Sequence, residues 1–156
     1  MSKQYELIIF TAGTQAYADW ALSYLENVNY ISHRLYRDHA TPQNGYYVKD
    51  LSRIGRDLKK TIIVDNISEN FQLQKSNGML IKTWIEDPND TSLLELAPLL
   101  IRISTSDCED VGDIIQELKD SNDEKLYSIA YGPPTAFKNL KETFLVADEP
   151  YGIPND

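Results

Sequence analysis

The stretch YELIIFTAGTQAYAD, residues 5–19, decides the fold of this chain. Its first six residues form a short apolar run that is β-branched at the centre, which is typical of a buried strand. After the turn at Thr-Ala-Gly, apolar residues recur at helical spacing and predict a clean helical face. These positions are Tyr17, Trp20, Ala21, Tyr24, Leu25 and Val28. Strand, turn and helix together predict the front half of a βα unit.

Further strands and helices are predicted along the chain. The run TIIVDN (61–66) reads as a second buried strand, and GMLIKTW (78–84) as a third, weaker one. Residues 90–103 have the apolar density of a helix, and apolar positions from Val111 to Leu118 predict a last amphipathic helix. Strands that alternate with helices in this way predict an α/β fold with a mainly parallel sheet.

A small insertion and a tail complete the predicted organisation. Residues 32–50 contain two short aromatic-rich runs split by TPQNG, which predicts a β-hairpin or flap. We expect one domain over residues 1–120, with the flap inside it. Residues 121–156 are acidic and punctuated by Pro and Gly, which indicates a loosely held tail.

The charge of the chain is concentrated near its end. Residues 1–103 carry 12 acidic and 11 basic side chains, whereas residues 104–156 carry 12 acidic and 4 basic ones. This balance argues against nucleic acid as a partner, because binding to a phosphate backbone needs a net basic face. The acidic end is either a solubilising segment or an interaction tail for a basic partner.

Composition also bears on location. No stretch approaches the roughly 18 apolar residues that a membrane span needs. The first residues lack the pattern of a signal peptide, and Cys108 is the single cysteine, which excludes an internal disulfide framework. We therefore expect an intracellular protein of the nucleus or cytoplasm that does not span a membrane, with mitochondria as a further possibility.

The turn after the first strand is a candidate anion site. Ligands of open α/β sheets lie beyond the carboxyl ends of the strands. Thr11 offers a hydroxyl there, and Ala12, Gly13 and Thr14 offer backbone N–H groups at the start of a helix, where a phosphate is stabilised. A simple strand–turn–helix cap explains the same residues.

Lys49 and the pair Asp65–Asn66 are the other candidates. Lys49 is suited to neutralising a phosphoryl group, but it also fits a surface cation paired with Asp50 or Asp57. Asp65 and Asn66 leave a buried strand and supply the hard oxygen ligands that Mg²⁺ prefers. A buried carboxylate is costly without a partner, which favours a functional role. Together these residues suggest phosphoryl transfer with a metal.

Three stretches carry a resemblance to a known family: residues 8–19, residues 34–66 (RLYRDHATPQNGYYVKDLSRIGRDLKKTIIVDN) and residues 77–100. Over residues 5–103 the chain resembles the phosphatases that act on the RNA polymerase II C-terminal domain. These enzymes are also called NLI-interacting-factor-like phosphatases, and they belong to the haloacid dehalogenase superfamily. The resemblance implies a haloacid-dehalogenase-like sheet and a Mg²⁺-dependent protein serine/threonine phosphatase acting on a phosphoprotein or peptide.

The resemblance also implies roles for individual residues. Thr11, with Ala12 in the same turn, would bind the phosphoryl oxygens. Lys49 would neutralise the phosphoryl group and the nucleophile. Asn66 would ligate Mg²⁺. Asp65 would belong to the same metal site and would contribute to catalysis by orienting a metal-bound water.

The flap lies where members of the family grip the substrate peptide. Arg37 and three aromatic residues, Tyr36, Tyr46 and Tyr47, are the candidates for this contact. Two small departures from the family pattern occur: Gly13 stands where serine is common, and DNIS replaces Asp-Asn-Ser-Pro. Neither departure removes a catalytic group.

The large departure is the absence of an Asp-x-Asp motif. In this superfamily the first strand ends in that motif, whose first Asp is the nucleophile and whose second is the general acid. None of the fourteen aspartates of this chain is two positions from another. Since nucleophilic catalysis supplies most of the rate, we expect no turnover from these residues alone, and Mg²⁺ binding only if the motif is supplied.

The strand that carries this motif is central in the family's sheet, between the strands of residues 5–10 and 61–66. Without it, two apolar edges are exposed, which is an aggregation hazard. Three repairs are open: the chain is part of a longer protein, another chain supplies the strand, or the two strands pair directly.

Two other functions remain as alternatives to the phosphatase hypothesis. One is a catalytically dead module that binds peptides or proteins, like the phosphatase-like receptor subunit of the mitochondrial presequence translocase. That subunit has residues similar to GYYVKD, but it does not typically keep the metal-site Asn that this chain has at position 66. The other is a structural role in a large assembly.

Overall fold

Short apolar runs separated by turns produce six strands and three α-helices in the part of the chain that the computed structural model describes, residues 1–25 and 28–121. The strands are β1 (Leu7–Phe10), β2 (Ile31–Leu35), β3 (Thr41–Gln43), β4 (Tyr46–Val48), β5 (Ile63–Asp65) and β6 (Gly78–Leu80). The helices are α1 (Gln15–Leu22), α2 (Ser92–Ser104) and α3 (Val111–Asp120). Apart from Ser121, the predicted tail lies outside the described residues.

The strands form three two-stranded sheets within the described ranges. β1 pairs in parallel with β2, β5 pairs in parallel with β6, and β3 pairs antiparallel with β4. The predicted α/β class with parallel strands is therefore confirmed, but the described residues do not form one continuous sheet. β1 and β5 lie in different sheets, so direct pairing between them is not how the structure accommodates its edges.

The flap contains the hairpin that TPQNG predicted. β3 and β4 are joined by Asn44 (φ 52°) and Gly45 (φ 83°), a pair of positive φ angles that suits a two-residue hairpin turn. The start of the predicted flap range behaves differently. Residues 31–35 form β2, in which Ile31 and residues 33–35 pair in parallel with β1, so the predicted flap range begins inside a strand of the βα unit.

The helix α1 begins where predicted but ends at Leu22, so the predicted positions 24, 25 and 28 lie beyond it, and the aromatic side chains of this stretch face solvent. Ala18 and Leu22 are its buried residues, whereas Tyr17, Trp20 and Tyr24 are 62%, 57% and 71% exposed. The Tyr17 and Trp20 rings are tilted by 40° to each other, and the Trp20 and Tyr24 rings meet edge to face, with centroid separations of 5.8 Å and 5.4 Å. A stripe with this spacing normally packs on a core. The described residues provide no core there.

The main core lies between β6 and the last two helices. Its buried members are Met79, Leu96, Ile103, Val111 and Ile115. A second, smaller cluster of Leu51, Ile63 and Phe71 covers the other side of β5. Asp110 begins α3 by accepting a hydrogen bond from the backbone N–H of Gly112 at 2.8 Å. These contacts fix β5, whose carboxyl end carries the site.

Gly78 allows a close approach that shapes the site. A Cβ atom at this position would lie 2.1 Å from ring atoms of Phe71. The ring packs directly on the first residue of β6, and the 3₁₀ segment Ser68–Asn77 is held against the sheet. As a result, Asn70 lies beside the end of β5.

The described part of the chain has no helix with the length and apolar character needed to cross a membrane.

Candidate active site

A buried ion pair joins two of the predicted site residues, Lys49 and Asp65. Lys49 directly follows β4, and Asp65 is the last residue of β5. The Lys49 Nζ lies 2.5 Å from the Asp65 Oδ2, and the two side chains are 10% and 2% exposed. Lys49 is therefore not a surface cation paired with Asp50 or Asp57.

Asp50 and Asp57 have a different task. Each caps a 3₁₀ turn: Asp50 accepts from the backbone N–H of Ser52, and Asp57 accepts from that of Lys59, both at 3.0 Å. Both carboxylates accept hydrogen bonds from the local backbone, and Lys49 pairs with Asp65 instead.

Asn70 is a third member of the buried site and was missed by the sequence analysis. Its Nδ2 donates to the Asp65 Oδ1 at 3.1 Å, and its backbone oxygen accepts from the Lys49 N–H at 2.6 Å. The backbone N–H of Ile67 donates to the same Oδ1 at 2.9 Å. A buried carboxylate needs several donors, so the polar residue in the turn after β5 was the available signal.

Lys49 and Asp65 form a salt bridge that is almost completely shielded from solvent. Removing one partner of such a buried pair typically costs about 3–5 kcal/mol, because the other charge is left uncompensated. The cluster is hydrogen-bonded throughout, since the described residues contain no buried side-chain nitrogen or oxygen without a partner. It can present a fixed ammonium at the carboxyl end of β5.

The residues proposed for a metal do not by themselves fit Mg²⁺. Asn66 is exposed, and its Nδ2 donates to the Thr83 Oγ1 at 3.1 Å. Both oxygens of Asp65 are already engaged. Residues 1–25 and 28–121 hold no group of three His, Cys, Asp or Glu side chains placed to bind a metal ion. Since Mg²⁺ requires an octahedron of oxygens, further carboxylates would have to be supplied.

The predicted phosphate turn follows β1 and is held by a hydrogen bond between two of its own residues. The Thr11 Oγ1 accepts from the backbone N–H of Gly13 at 3.0 Å, and the Thr11 N–H donates to Leu35 in β2. A Cβ atom on Gly13 would lie 3.2 Å from that Oγ1 and 3.3 Å from the Tyr17 ring. A larger residue at this position would therefore displace the Thr11 hydroxyl or the exposed Tyr17 ring slightly.

Arg37 connects the turn to the flap. Its Nε donates to the Ala12 oxygen at 2.6 Å, and its backbone N–H donates to the Gly13 oxygen at 2.9 Å. Its guanidinium also lies 4.9 Å from the centre of the Tyr47 ring, within the range of a cation–π contact. Arg37 thus links two sets of predicted residues. No hydrogen bond or ion pair within residues 1–25 and 28–121 joins Thr11 to Lys49.

A second connection runs from the flap to α1. The Tyr36 hydroxyl and the Arg34 Nη1 donate to the same oxygen of Asp19, at 2.8 Å and 2.9 Å. The hydrogen bond from Tyr36, followed by that from Arg34, lowers the pKa of Asp19. The Tyr36–Asp19 hydrogen bond also raises the pKa of the Tyr36 phenol. Tyr36 is therefore occupied in the structure, whereas Tyr46 is exposed at the hairpin.

Similarity to known proteins extends over most of the described chain. Residues 1–112 match the family described as NLI interacting factor-like phosphatase. The chain is 44% identical over 117 residues to CTD small phosphatase-like protein 2 of Dictyostelium discoideum, covering 75% of this chain and 20% of that protein. It is 36% identical over 119 residues to human carboxy-terminal domain RNA polymerase II polypeptide A small phosphatase 2, covering 76% and 43%. The matched part thus spans less than half the length of either relative.

Proposed function

The chain belongs to the family of NLI interacting factor-like phosphatases, and we propose that it provides the part of a protein serine/threonine phosphatase that positions the substrate. The family and its relatives support a protein-phosphatase type of function. The observation that carries the specific proposal is the buried Lys49–Asp65–Asn70 cluster at the carboxyl end of β5.

Each part of the site has a place in this proposal. The Lys49 ammonium neutralises the phosphoryl group, and the Thr11–Ala12 turn binds its oxygens. Arg37 holds that turn against the flap, where Tyr46 and Tyr47 contact the peptide around a phosphoserine or phosphothreonine. The exposed Tyr46 is free to meet a peptide, while Tyr47 packs under the guanidinium of Arg37.

These 156 residues alone do not hydrolyse phosphate in this proposal. They contain no Asp-x-Asp sequence, so the covalent nucleophile and the general acid expected from the family are missing. Positioning and electrostatics without a nucleophile retain a small part of the rate enhancement. A strand that brings the two aspartates would also supply the carboxylates that the Mg²⁺ site at Asn66 lacks. Mg²⁺, when bound, would stabilise negative charge on the phosphoryl group.

A catalytically inactive peptide-binding module is the second candidate. Three exposed aromatic residues on and just after α1 favour it, because the Tyr17, Trp20 and Tyr24 rings contact one another in tilted and edge-to-face pairs. Asp19 in the same helix holds Arg34 and Tyr36. In both candidates the partner is a protein or peptide within the cell, in nucleus or cytoplasm. A net charge of −9 disfavours nucleic acid.

Peptide binding tests the proposal. We expect the full chain to bind a phosphoserine peptide more tightly than the unphosphorylated peptide, measured by fluorescence anisotropy. Thr11→Val keeps the side-chain shape, removes the hydroxyl and should lower this preference. Thr105→Val, the same change at an exposed position at the end of α2, is the control. Equal affinity for the two peptides would contradict a phosphate site and favour the second candidate.

Phosphate release from the same peptide tests the absence of turnover. We expect none above background with Mg²⁺ present. Turnover by these residues that EDTA abolishes and Lys49→Ala eliminates would contradict the proposal.

A further inference from the structure

A pocket of about 370 Å³ lies beside the predicted phosphate turn, between the β1–β2 pair and residues 50–56. Phe10 and Leu35 line it, and the Thr11 N–H donates to the Leu35 oxygen at 2.9 Å. Asp50, which directly follows Lys49 in the chain, lines it too. The pocket is therefore a neighbour of both parts of the candidate site.

The lining of this pocket suits an anionic group on an apolar stem. Three arginines, two histidines and two aspartates line it beside four apolar side chains, which are those of Ile8, Phe10, Leu35 and Ile54. Residues 33–56 as a whole carry five Arg or Lys and two Asp, although the chain has a net charge of −9. The pocket therefore lies in a locally basic stretch of an acidic chain, where charge complementarity favours an anion.

Two of the arginines and one histidine already have acidic partners. The Arg34 Nη1 donates to an Asp19 oxygen at 2.9 Å. The Arg56 guanidinium holds the Glu6 carboxylate through two hydrogen bonds, of 2.6 Å and 2.8 Å, and the His33 Nε2 lies 3.4 Å from an oxygen of Glu6. The charges of these side chains are therefore largely balanced within the protein.

The two aspartates of the lining weaken the attraction for an anion only in part. Asp50 accepts hydrogen bonds from Ser52 and Gln74, and that from the Ser52 side chain is the main cause of its lowered pKa. The charge of Arg53 is a smaller cause, so Arg53 is near Asp50 without forming a salt bridge to it. Asp38 is exposed, and solvent and salt screen its charge.

Arg53 has the guanidinium that remains for a ligand. Its Nη1 makes two long contacts, of 3.5 Å to the His39 oxygen and 3.3 Å to the Thr41 Oγ1, and neither acceptor is charged. Among residues 1–25 and 28–121, no salt bridge involves Arg53. The His39 Nδ1 accepts from the Tyr36 N–H at 3.0 Å, so His39 keeps a second donor at its Nε2.

We propose that this Arg53 pocket binds a second acidic group of the substrate peptide, a few residues from the phosphoserine or phosphothreonine. The inference rests on the proposed function and names its substrate class, a peptide that is acidic or phosphorylated more than once. The Arg53 guanidinium binds the carboxylate or phosphate oxygens through two N–H groups, because its planar fork matches such anions. The His39 Nε2 donates to the same anion, and Phe10 and Ile54 pack on its stem.

Peptide binding to the full chain tests the pocket, with fluorescence anisotropy as the readout. The reference is a peptide with one phosphoserine and neutral neighbours. In a matched series, glutamate or a second phosphoserine replaces one neutral residue at each position up to four residues from the phosphoserine. At the spacing that reaches the pocket, we expect the affinity to rise about three- to fivefold at low ionic strength, the scale of a well-formed exposed ion pair.

Variants of Arg53 show whether the gain in affinity arises in the pocket. Arg53→Gln removes the charge at similar length and should abolish most of the gain. Arg102→Gln removes a charge from an exposed position in the last turn of α2 and should leave the gain unchanged. Arg53→Glu should reverse the preference, so that a lysine at the same peptide position binds better than glutamate. A misfolded variant cannot produce this reversal.

The peptide series separates the two sources of the acidic group and also the two proposals. A gain from glutamate supports a pocket that recognises acidic residues, and a gain from phosphoserine alone supports a pocket for a second phosphate. No gain at any position, or equal losses of the gain in Arg53→Gln and Arg102→Gln, would overturn the pocket. Equal affinity for the reference peptide and its unphosphorylated form would instead contradict the proposed function, while the Arg53 dependence of the glutamate gain stays measurable in unphosphorylated peptides.

Discussion

The two parallel strand pairs of this protein differ in how fully the neighbouring helices bury their apolar side chains. The β5–β6 pair lies on a core formed with α2 and α3 and carries a buried, fully hydrogen-bonded polar cluster. The β1–β2 pair has α1 as its helix, of which only Ala18 and Leu22 are buried. The β5–β6 half is therefore self-sufficient in its packing, whereas the β1–β2 half leaves Tyr17 and Trp20 of its helix exposed.

The largest effect is expected at the ion pair of the self-sufficient half. Lys49→Ala should lower the free energy of unfolding by about 3–5 kcal/mol, because the Asp65 carboxylate stays buried without its counter-charge. Urea denaturation measures this. The double variant Lys49→Met with Asp65→Asn should recover part of the loss, since it removes both charges and keeps a side-chain oxygen that accepts from Ile67 and Asn70. A single variant as stable as the unaltered chain would contradict the buried pair.

A comparison of leucine truncations tests the packing difference directly. Leu96→Ala should cost about 2–5 kcal/mol, because Leu96 is completely buried between β6, α2 and α3. Leu22→Ala on α1 should cost less, about 2 kcal/mol, because Leu22 is 9% exposed and belongs to neither hydrophobic cluster of the described residues. Chemical denaturation of both variants measures the ratio. Equal losses of unfolding free energy in the two variants would contradict the proposed difference in packing.

The helices and strands could largely be predicted from the sequence, because apolar periodicity and turn residues act locally. The strand before Asp65, the Asn44–Gly45 hairpin and α3 all confirm this. The exposure of Tyr17 and Trp20 could not be predicted, because periodicity defines a face and does not say what covers it.

The site was only partly predictable for a related reason. The resemblance brought Lys49 and Asp65 into one site, and the structure places them in contact. Asn70 and the Arg37 contact with Ala12 depend on the path of the chain after β5 and through the flap. Tertiary geometry of this kind leaves no periodic signal in the sequence.

A smaller effect is expected where the flap meets the weaker half. Arg37→Ala removes the hydrogen bond to Ala12 and the contact with Tyr47, and should cost about 1 kcal/mol. We expect faster amide exchange in residues 11–14 and 41–48 together. Arg37→Lys keeps the charge and loses the planar fork, so it should give an intermediate result. Faster exchange in one segment only would show that Arg37 does not couple them.

The smallest effect concerns acid. The pKa of Asp19 in the folded chain lies below its ordinary value of 3.8, mainly because the Tyr36 hydroxyl donates to the carboxylate. The stabilisation is therefore present above pH 3.8 and lost as pH falls through the lowered pKa. Asp19→Asn should reduce the acid dependence of the melting temperature below that pH. An unchanged acid profile would argue against the contact.

The most direct test of the central claim is to supply the strand covalently. A fusion would place an apolar strand ending in Asp-x-Asp before Tyr5 through a flexible linker, and phosphate release from a phosphoserine peptide would be measured with Mg²⁺. We expect turnover that EDTA abolishes and that is lost in Lys49→Ala and in an Asn-x-Asn fusion. A folded fusion that binds the phosphopeptide and releases no phosphate would contradict it.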